Sequence, residues 1–317
     1  MIAVLVDKFK GTLSGREVAE IIGDVVGHSV YVPMADGGEG TVEALGAERY
    51  EQFYTFQDMN GRTVGYVPSC GEGLSYLQSQ EHLPLRKRSS GAIGMAVAKA
   101  LKKFHTVYVG IGGTRFADGG MGFVKALHFC RGEIIGLADI EAPLISESGI
   151  SAMSFLAQKG ADEEDIAELR EKFRLLKRAY PSADRFGGAG GGLGFAIESI
   201  LGGEVVSGAR YILHRNLDKY LQGHRPSLLI TGEGCLDEQT GAGKVVAAVH
   251  AYGAEHNIPV VTFAGITKGL EPYDNVFPCY STPPAELPSP AEAAEQLRKT
   301  VTEALPVINS LISTSQT

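Results

Sequence analysis

Two hexapeptides, ADGGEG at 35–40 and ADGGMG at 117–122, share five of six residues, and each stands between an apolar run and a helix-like segment (TVEALGAERY; FVKALHF). Two more glycine loops occupy similar junctions: GGAGGGLG at 187–194 before FAIESIL, and ITGEGCLDEQTGAGK at 230–244 before VVAAVHAYG. Glycines between a strand and a helix let backbone N–H groups crowd around an anion, and the helix N-terminus behind them adds partial positive charge. The chemistry that fits is the holding of phosphate, with Gly37, Gly38, Gly112, Gly113, Gly119, Gly190 and Gly191 as candidate lining. The alternative for any one loop is a tight turn or close helix–sheet packing.

The familiar phosphate motifs fail. Gly110 and Gly112 begin a GxGxxG pattern, but Arg115 occupies its last position, so no dinucleotide fingerprint is present. GAGKVV has a Gly-Lys pair without the following Ser/Thr, and Glu238 stands where the first P-loop glycine belongs.

Acids punctuate these loops: Asp7, Asp36, Glu39, Asp118, Glu233 and Asp237 all fall at expected strand ends. A carboxylate beside polyphosphate is repulsive unless a divalent cation lies between them or it takes a proton from an attacking hydroxyl, and phosphoryl transfer uses both arrangements. For each acid singly, helix capping or turn formation is the competing role. Lys10, in DKFKGTLS, and Lys244 are the candidates for neutralising phosphate, against the ordinary alternative of solvated surface lysines. Ser14 and Glu17 form the pattern of a capping box.

Positioning these groups falls to short β-branched runs at 2–6, 29–34, 106–111, 227–232, 259–265 and 275–280. Near-continuous apolarity over five or six residues suits parallel strands buried on both faces, and the intervening helical segments give an α/β alternation. Residues 50–80 read as a hairpin about Asn60-Gly61. Residues 161–180 read as an amphipathic helix with Ile166, Leu169, Phe173 and Leu176 on one face. Ser289 and Pro290 open a closing helix. The expected division is a parallel-sheet domain of 1–45, 88–130 and 205–317, carrying an inserted smaller α/β domain of 46–87 and 131–204.

The 317 residues exceed the usual single-core size, in line with two domains. The 41 glycines are roughly twice the usual share. A formal charge of −8 without a long Lys/Arg run argues against nucleic acid or an anionic membrane as the main partner. Cys70, Cys130, Cys235 and Cys279 show no CxxC spacing and read as buried free thiols. MIAVLV meets Asp7 and Lys8 at once and has no basic n-region, so neither a signal peptide nor a membrane span is expected, and the location inferred is cytoplasmic.

Five segments, in order, resemble the bacterial two-domain glycerate kinase family: IAVLVDKFKGTLSGREVAEII, VPMADGGEGTVEAL, VGIGGTRFADGGMGFVKAL, FGGAGGGLGFAI and LLITGEGCLDEQTGAGKVVAAV, with VVTFAGI following. The resemblance implies a flavodoxin-like domain paired with a smaller α/β domain of restriction-endonuclease-like topology. It also implies ATP-dependent phosphorylation of glycerate, or a close 2-hydroxy acid, with magnesium. ADIEAPLI resembles a family segment in which Asp139 is matched, while Ala142 replaces an asparagine. Thr114, Arg115, Phe116, Ala117 and Asp118 stand where the family has Ser-Ala-Thr-Asn-Asp, an acidic stretch becomes LQSQ at 77–80, and residues are missing between Cys130 and Gly136.

On this resemblance and the loop positions, Asp118 or Asp139 serves as base or orienter. Asp36, Glu39 and Asp237 contact magnesium or substrate, Asp36 and Asp237 being the metal candidates, and Lys10 and Lys244 stabilise phosphate charge. Arg115 either holds a carboxylate or phosphate bidentately or pairs with an acid and plugs the loop. The competing reading is a diverged, non-catalytic member that binds a small anion or a partner protein. A homodimer is the assembly considered. A flavodoxin-like redox protein is disfavoured for want of a flavin or NAD fingerprint.

Overall fold

The structure, a computed structural model, describes residues 1–70, 80–147, 149–182, 184–237, 244–269 and 273–314. Two compact units are present, Met1–Met34 with Ile212–Thr317, and Ala35–Tyr211. Strands and helices are numbered along the chain.

The first unit is a five-stranded parallel sheet of β1 (Ile2–Val6), β2 (Ser29–Tyr31), β9 (Leu228–Leu236), β10 (Val260–Thr267) and β11 (Val276–Pro278), in the order β11-β10-β9-β1-β2. All five residues of β1 are buried, as a strand covered on both faces requires. Its even-numbered side chains Ile2, Val4 and Val6 join Leu228, Ile230, Val261 and Phe263 against α1 (Gly15–Val26) and α9 (Pro290–Thr314). Helix α8 (Val245–His256) packs on β9 and β1 as well. The expected caps are present: Ser14 and Glu17 make a reciprocal capping box, and Ser289 Oγ accepts from the Glu292 N–H at 3.3 Å. Counted within the unit, the strand order is 2-1-3-4-5, the flavodoxin-like order, whose switch point lies between β1 and β9.

The second unit carries the six-stranded sheet β3 (Glu48–Tyr50), β4 (Phe53–Gln57), β5 (Thr63–Val67), β6 (Thr106–Gly110), β7 (Glu133–Ala138) and β8 (Glu204–Ser207), paired in that order. The first three strands are antiparallel and the last four parallel. The expected hairpin is β4–β5; Asp58 Oδ1 closes its turn by accepting from the N–H groups of Asn60 and Arg62, both at 2.9 Å. Helices α2 (Thr41–Leu45), α3 (Gly91–Leu101), α4 (Met121–Leu127) and α5 (Glu163–Ala179) follow, then α6 (Leu193–Phe195) with a π-helical turn at Ala196–Ile200. Helix α7 (Gly208–Leu221) leads the chain back to the first unit. Helix α5 has Asp162 as N-cap and buries Leu169, Phe173 and Leu176, as its periodicity requires.

The division differs from the expected one. Residues 35–45, 88–130 and 205–211 belong to the second unit, because β6 pairs with β5 and β7 rather than with β1. A buried parallel strand reads alike whichever sheet it enters, so its partners are not encoded in its own pattern. The second unit is consequently one continuous segment and the longer of the two. TVEALGAERY is helical only to Leu45, after which Gly46 turns left-handed and β3 begins. Three of the four cysteines, Cys70, Cys130 and Cys235, are only partly buried, and Cys279 alone is buried. Among the described residues, no helix is long and apolar enough to cross a membrane.

Phe173 is fully buried beside Leu144, Leu169 and Phe195, whereas Leu175, two residues on, is 54% exposed. In urea unfolding, Phe173→Ala is expected to cost about 3–5 kcal/mol. Leu175→Ala is expected to stay within about 0.5 kcal/mol of the parent.

Candidate active site

Four segments of the second unit meet at the C-terminal ends of its parallel strands: the chain leaving β5, the 110–113 glycines leaving β6, Asp139 just past β7, and the ADGGEG loop. The Gly112 N–H donates to the Gly37 carbonyl at 3.3 Å, and Ser69 Oγ donates to the Gly112 carbonyl at 2.7 Å. A Cβ on Gly112 would stand 2.8 Å from Gly38 Cα and 2.9 Å from Asp139 Cβ, so only glycine lets these backbones approach.

That packing sets the electrostatics of Asp139. Its Oδ1 is out of solvent and, among the described residues, has no hydrogen-bond partner. Burial first, and the Asp36 charge second, push its carboxyl up to about 7, although Lys159 and the N–H groups of Gly113 and Asp139 oppose the shift. Asp36 itself accepts from the Gly38 N–H at 3.0 Å. Lys159 ends the short 3-10 turn Ala157–Lys159 and donates from Nζ to Thr114 Oγ1 at 2.8 Å and to the Thr114 carbonyl. Burial lowers its ammonium to about 8, against the stabilising charges of Asp139 and Cys70. Cys70 lies beside the 110–113 loop; its Sγ would be 3.0 Å from a Cβ on Gly113. Sequence reasoning did not single out Lys159. It sits in a polar connection whose only local signal is a lysine before Gly160.

Asp118 lies in the same unit but is occupied differently. Its Oδ2 accepts from Ser90 N–H and Oγ, both at 2.9 Å, and from Gly122 N–H at 3.0 Å, while Oδ1 accepts from Gly120 N–H at 3.0 Å. It ties the start of α3 to the start of α4. The third glycine loop packs on this segment: Gly119 N–H donates to the Gly191 carbonyl at 3.1 Å, and a Cβ on Gly191 would meet the Phe116 carbonyl at 2.3 Å. Gly190 likewise lies against the Ile111 carbonyl. These glycines are sites of backbone-on-backbone contact.

Of the two readings of Arg115, the structure has the pairing. Its guanidinium meets Glu81 with 66% of the side chain exposed, and its carbonyl accepts from Arg88 at 3.1 Å. Phe116 and Ala142 are buried in one apolar cluster with Ile111, Phe123 and Phe186. Of the LQSQ stretch, 77–79 lie outside the described residues, as do 238–243.

The remaining candidates, Glu39 apart, belong to the first unit. Asp7 follows β1 and accepts from the Lys8 N–H at 2.7 Å. Lys10 is exposed on a loop closed by the Phe9–Leu13 bridge, and its backbone lies against Gly234 of β9. Glu233 is 8% exposed within β9, Asp237 follows that strand, and Lys244 immediately precedes α8. Burial pushes the Cys235 thiol up, opposed by Lys268 and Lys244 and reinforced by Asp237 and Glu233, so these charges share one neighbourhood. Glu39 is exposed on the ADGGEG loop in the second unit, as are neither of its neighbours Gly37 and Gly38, which are buried. Asp36 and Asp237, the metal candidates, fall in different units. Among the described residues, no group of three or more His, Cys, Asp or Glu side chains is arranged to hold a metal.

A doubly wound sheet with charged groups about its switch point, joined in one chain to a second α/β unit with a desolvated acid at its strand ends, defines a two-unit α/β enzyme. The sequence matches the model of the glycerate kinase family over residues 2–133 and 128–309, and the chain belongs to that family. It is 31% identical to a protein of Escherichia coli K12 named glycerate 2-kinase, over 83% of this chain and 84% of that one. To a glycerate kinase of Bacillus cereus the identity is 29%, over 83% and 84%. A crystal structure from Salmonella typhimurium LT2, described as a glycerate kinase 2, superposes with a TM-score of 0.68 at 25% identity and covers 98% of both chains.

Asp139 makes a signed prediction. Its folded pKa lies above the ordinary aspartate value of 3.8, so its contribution to stability is complete below pH 3.8 and is lost as pH rises through about 7. Lys159, lowered from 10.5 to about 8, contributes in the opposite sense: its share is complete above pH 10.5 and is lost as pH falls through about 8. Urea titrations between pH 4 and 8 should therefore show Asp139→Asn gaining on the wild type as pH rises. A difference that does not change with pH would exclude the desolvated acid.

Proposed function

We propose that the chain catalyses ATP-dependent phosphorylation of a hydroxyl of glycerate, or of a close 2-hydroxy acid, with Asp139 as the base. The observation that carries the assignment is the unpartnered, buried Oδ1 of Asp139 on a carboxyl raised to about 7. A general base works best with a pKa near the operating pH and with an oxygen available to the proton it takes. Asp118 offers neither oxygen so readily, because four donors already occupy its carboxylate.

In the proposed step the substrate hydroxyl oxygen attacks the γ-phosphorus in line, its proton passes to Asp139, and the bond to the β-bridging oxygen breaks to release ADP. Lys10 and Lys244, beside the switch point of the first unit, are the cations assigned to nucleotide phosphates. Asp36 fits a magnesium ion because its charge already burdens Asp139, and Asp237 is the second candidate; a bound magnesium ion would neutralise developing phosphate charge. With no three-ligand cage among the described residues, such an ion would draw most of its ligands from phosphate and water, as magnesium commonly does. Need for ATP accords with action in the cytoplasm. No observation favours a non-catalytic member: the replacements at 116 and 142 are absorbed into the core, and Arg115 points to Glu81.

A coupled assay for ADP release with D-glycerate, ATP and magnesium tests the reading. Asp139→Asn is expected to lower kcat by about 10²–10⁴-fold without lowering Tm. Asp118→Asn, which disturbs four hydrogen bonds, is expected to lower Tm. A well-folded wild type with no turnover and no shift of Tm on adding ATP would refute the proposed activity.

A further inference from the structure

Lys159 has a bonding capacity that the protein leaves incomplete. Its ammonium carries three N–H donors, and Thr114 takes two of them, through Oγ1 at 2.8 Å and the carbonyl oxygen. Asp139 is the strongest influence of opposite sign on it, yet among the described residues no carboxylate closes an ion pair with Nζ. A second cation, Arg88, acts on Lys159 unfavourably. Among the described residues its guanidinium has no carboxylate partner, and it donates to the carbonyl oxygens of Leu83 at 2.9 Å, Arg115 at 3.1 Å and Glu81 at 3.1 Å. Holding an ammonium away from water beside another cation, with no counter-ion in contact, is costly. An anion in that place removes the cost.

Asp139 is incomplete in the complementary sense, since its buried Oδ1 lacks a donor. One neighbouring group thus has an unused N–H and the other an unused acceptor. A hydroxy acid answers both, its carboxylate oxygen to the ammonium and its hydroxyl hydrogen to Oδ1. A phosphate group fits less well, because it brings two negative charges towards Asp139 and Asp36 and no hydroxyl hydrogen.

We infer that Lys159, with Arg88 beside it, receives the carboxylate of the hydroxy acid whose hydroxyl Asp139 deprotonates. This rests on the hydroxy-acid kinase reading above and adds a substrate-binding residue to it. Anchoring the carboxylate fixes which part of the substrate reaches the base, so Lys159 determines specificity for acids over neutral polyols.

The test is initial-rate kinetics with D-glycerate and ATP varied separately, for the wild type, Lys159→Gln and Lys159→Arg. Lys159→Gln removes the charge while keeping a polar amide, and its KM for glycerate should rise about 10- to 100-fold, the loss expected for one charged hydrogen bond. Its KM for ATP should stay unchanged, and Lys159→Arg should recover most of the difference. The native enzyme gives a reading independent of folding: glyceramide, with a neutral amide in place of the carboxylate, should be a poorer substrate than glycerate by a similar factor. An unchanged KM for glycerate, a rise confined to ATP, or equal use of glyceramide would overturn the assignment while leaving the kinase reading intact. Absence of wild-type turnover would strike the kinase reading instead. Glycerate binding by calorimetry, present in the wild type and lost in Lys159→Gln, would then still support Lys159, and no binding to either would end both.

Discussion

A carboxylate kept out of water next to another carboxylate is the constraint around which the second unit is arranged. Burial and like charge both oppose the ionised form of Asp139, so the site stores an acid that changes state near neutrality. Side chains alone would relax such a contact. Here backbone prevents it, because the 110–113 strand end, the ADGGEG loop and the residue after β7 lie too close together for any Cβ at Gly112. Mainchain contact is stiffer than side-chain contact, which explains why the glycines gather where the acid is.

The twin hexapeptides show how far a local motif determines chemistry. In both, the aspartate accepts from the N–H two residues on, Asp36 from Gly38 and Asp118 from Gly120, each at 3.0 Å. Both therefore share this turn, but the helix starts at Met121 in one copy and only at Thr41 in the other. Distant Ser90 and local Gly122 add three more donors to Asp118, whereas the charge of Asp36 acts on Asp139. One copy became a joint between helices, and the other remained an electrostatic element of the site.

This separates what the sequence discloses from what it hides. Strands, the Asn60-Gly61 hairpin, the Ser14–Glu17 box and the buried face of α5 were legible, because each is written in the spacing of a few consecutive residues. The membership of β6 in the second sheet was not, since it depends on partners at 63–67 and 133–138. Asp139 was reached only through family resemblance, and Lys159 not at all. A buried ammonium is a property of what surrounds it, and a lysine in the polar stretch AQKGADEED carries no local mark of burial. The glycine loops were read as phosphate cradles, yet Gly112, Gly190 and Gly191 each have a backbone reason to be glycine.

The altered segment 114–117 bears most directly on whether the site works, and magnitudes decide it. A plug must outcompete substrate, which calls for several kcal/mol held inside the site. Arg115 and Glu81 have side chains 66% and 44% exposed, and an exposed ion pair is worth about 1 kcal/mol or less. Phe116 contributes apolar burial to the core instead of bulk to the site, being 7% exposed among Ile111, Phe123 and Phe186. Thr114 is buried as well, and its hydroxyl and carbonyl hold Lys159. Thr114 and Lys159 together place a positive charge that acts on Asp139, so the segment supports the site instead of closing it.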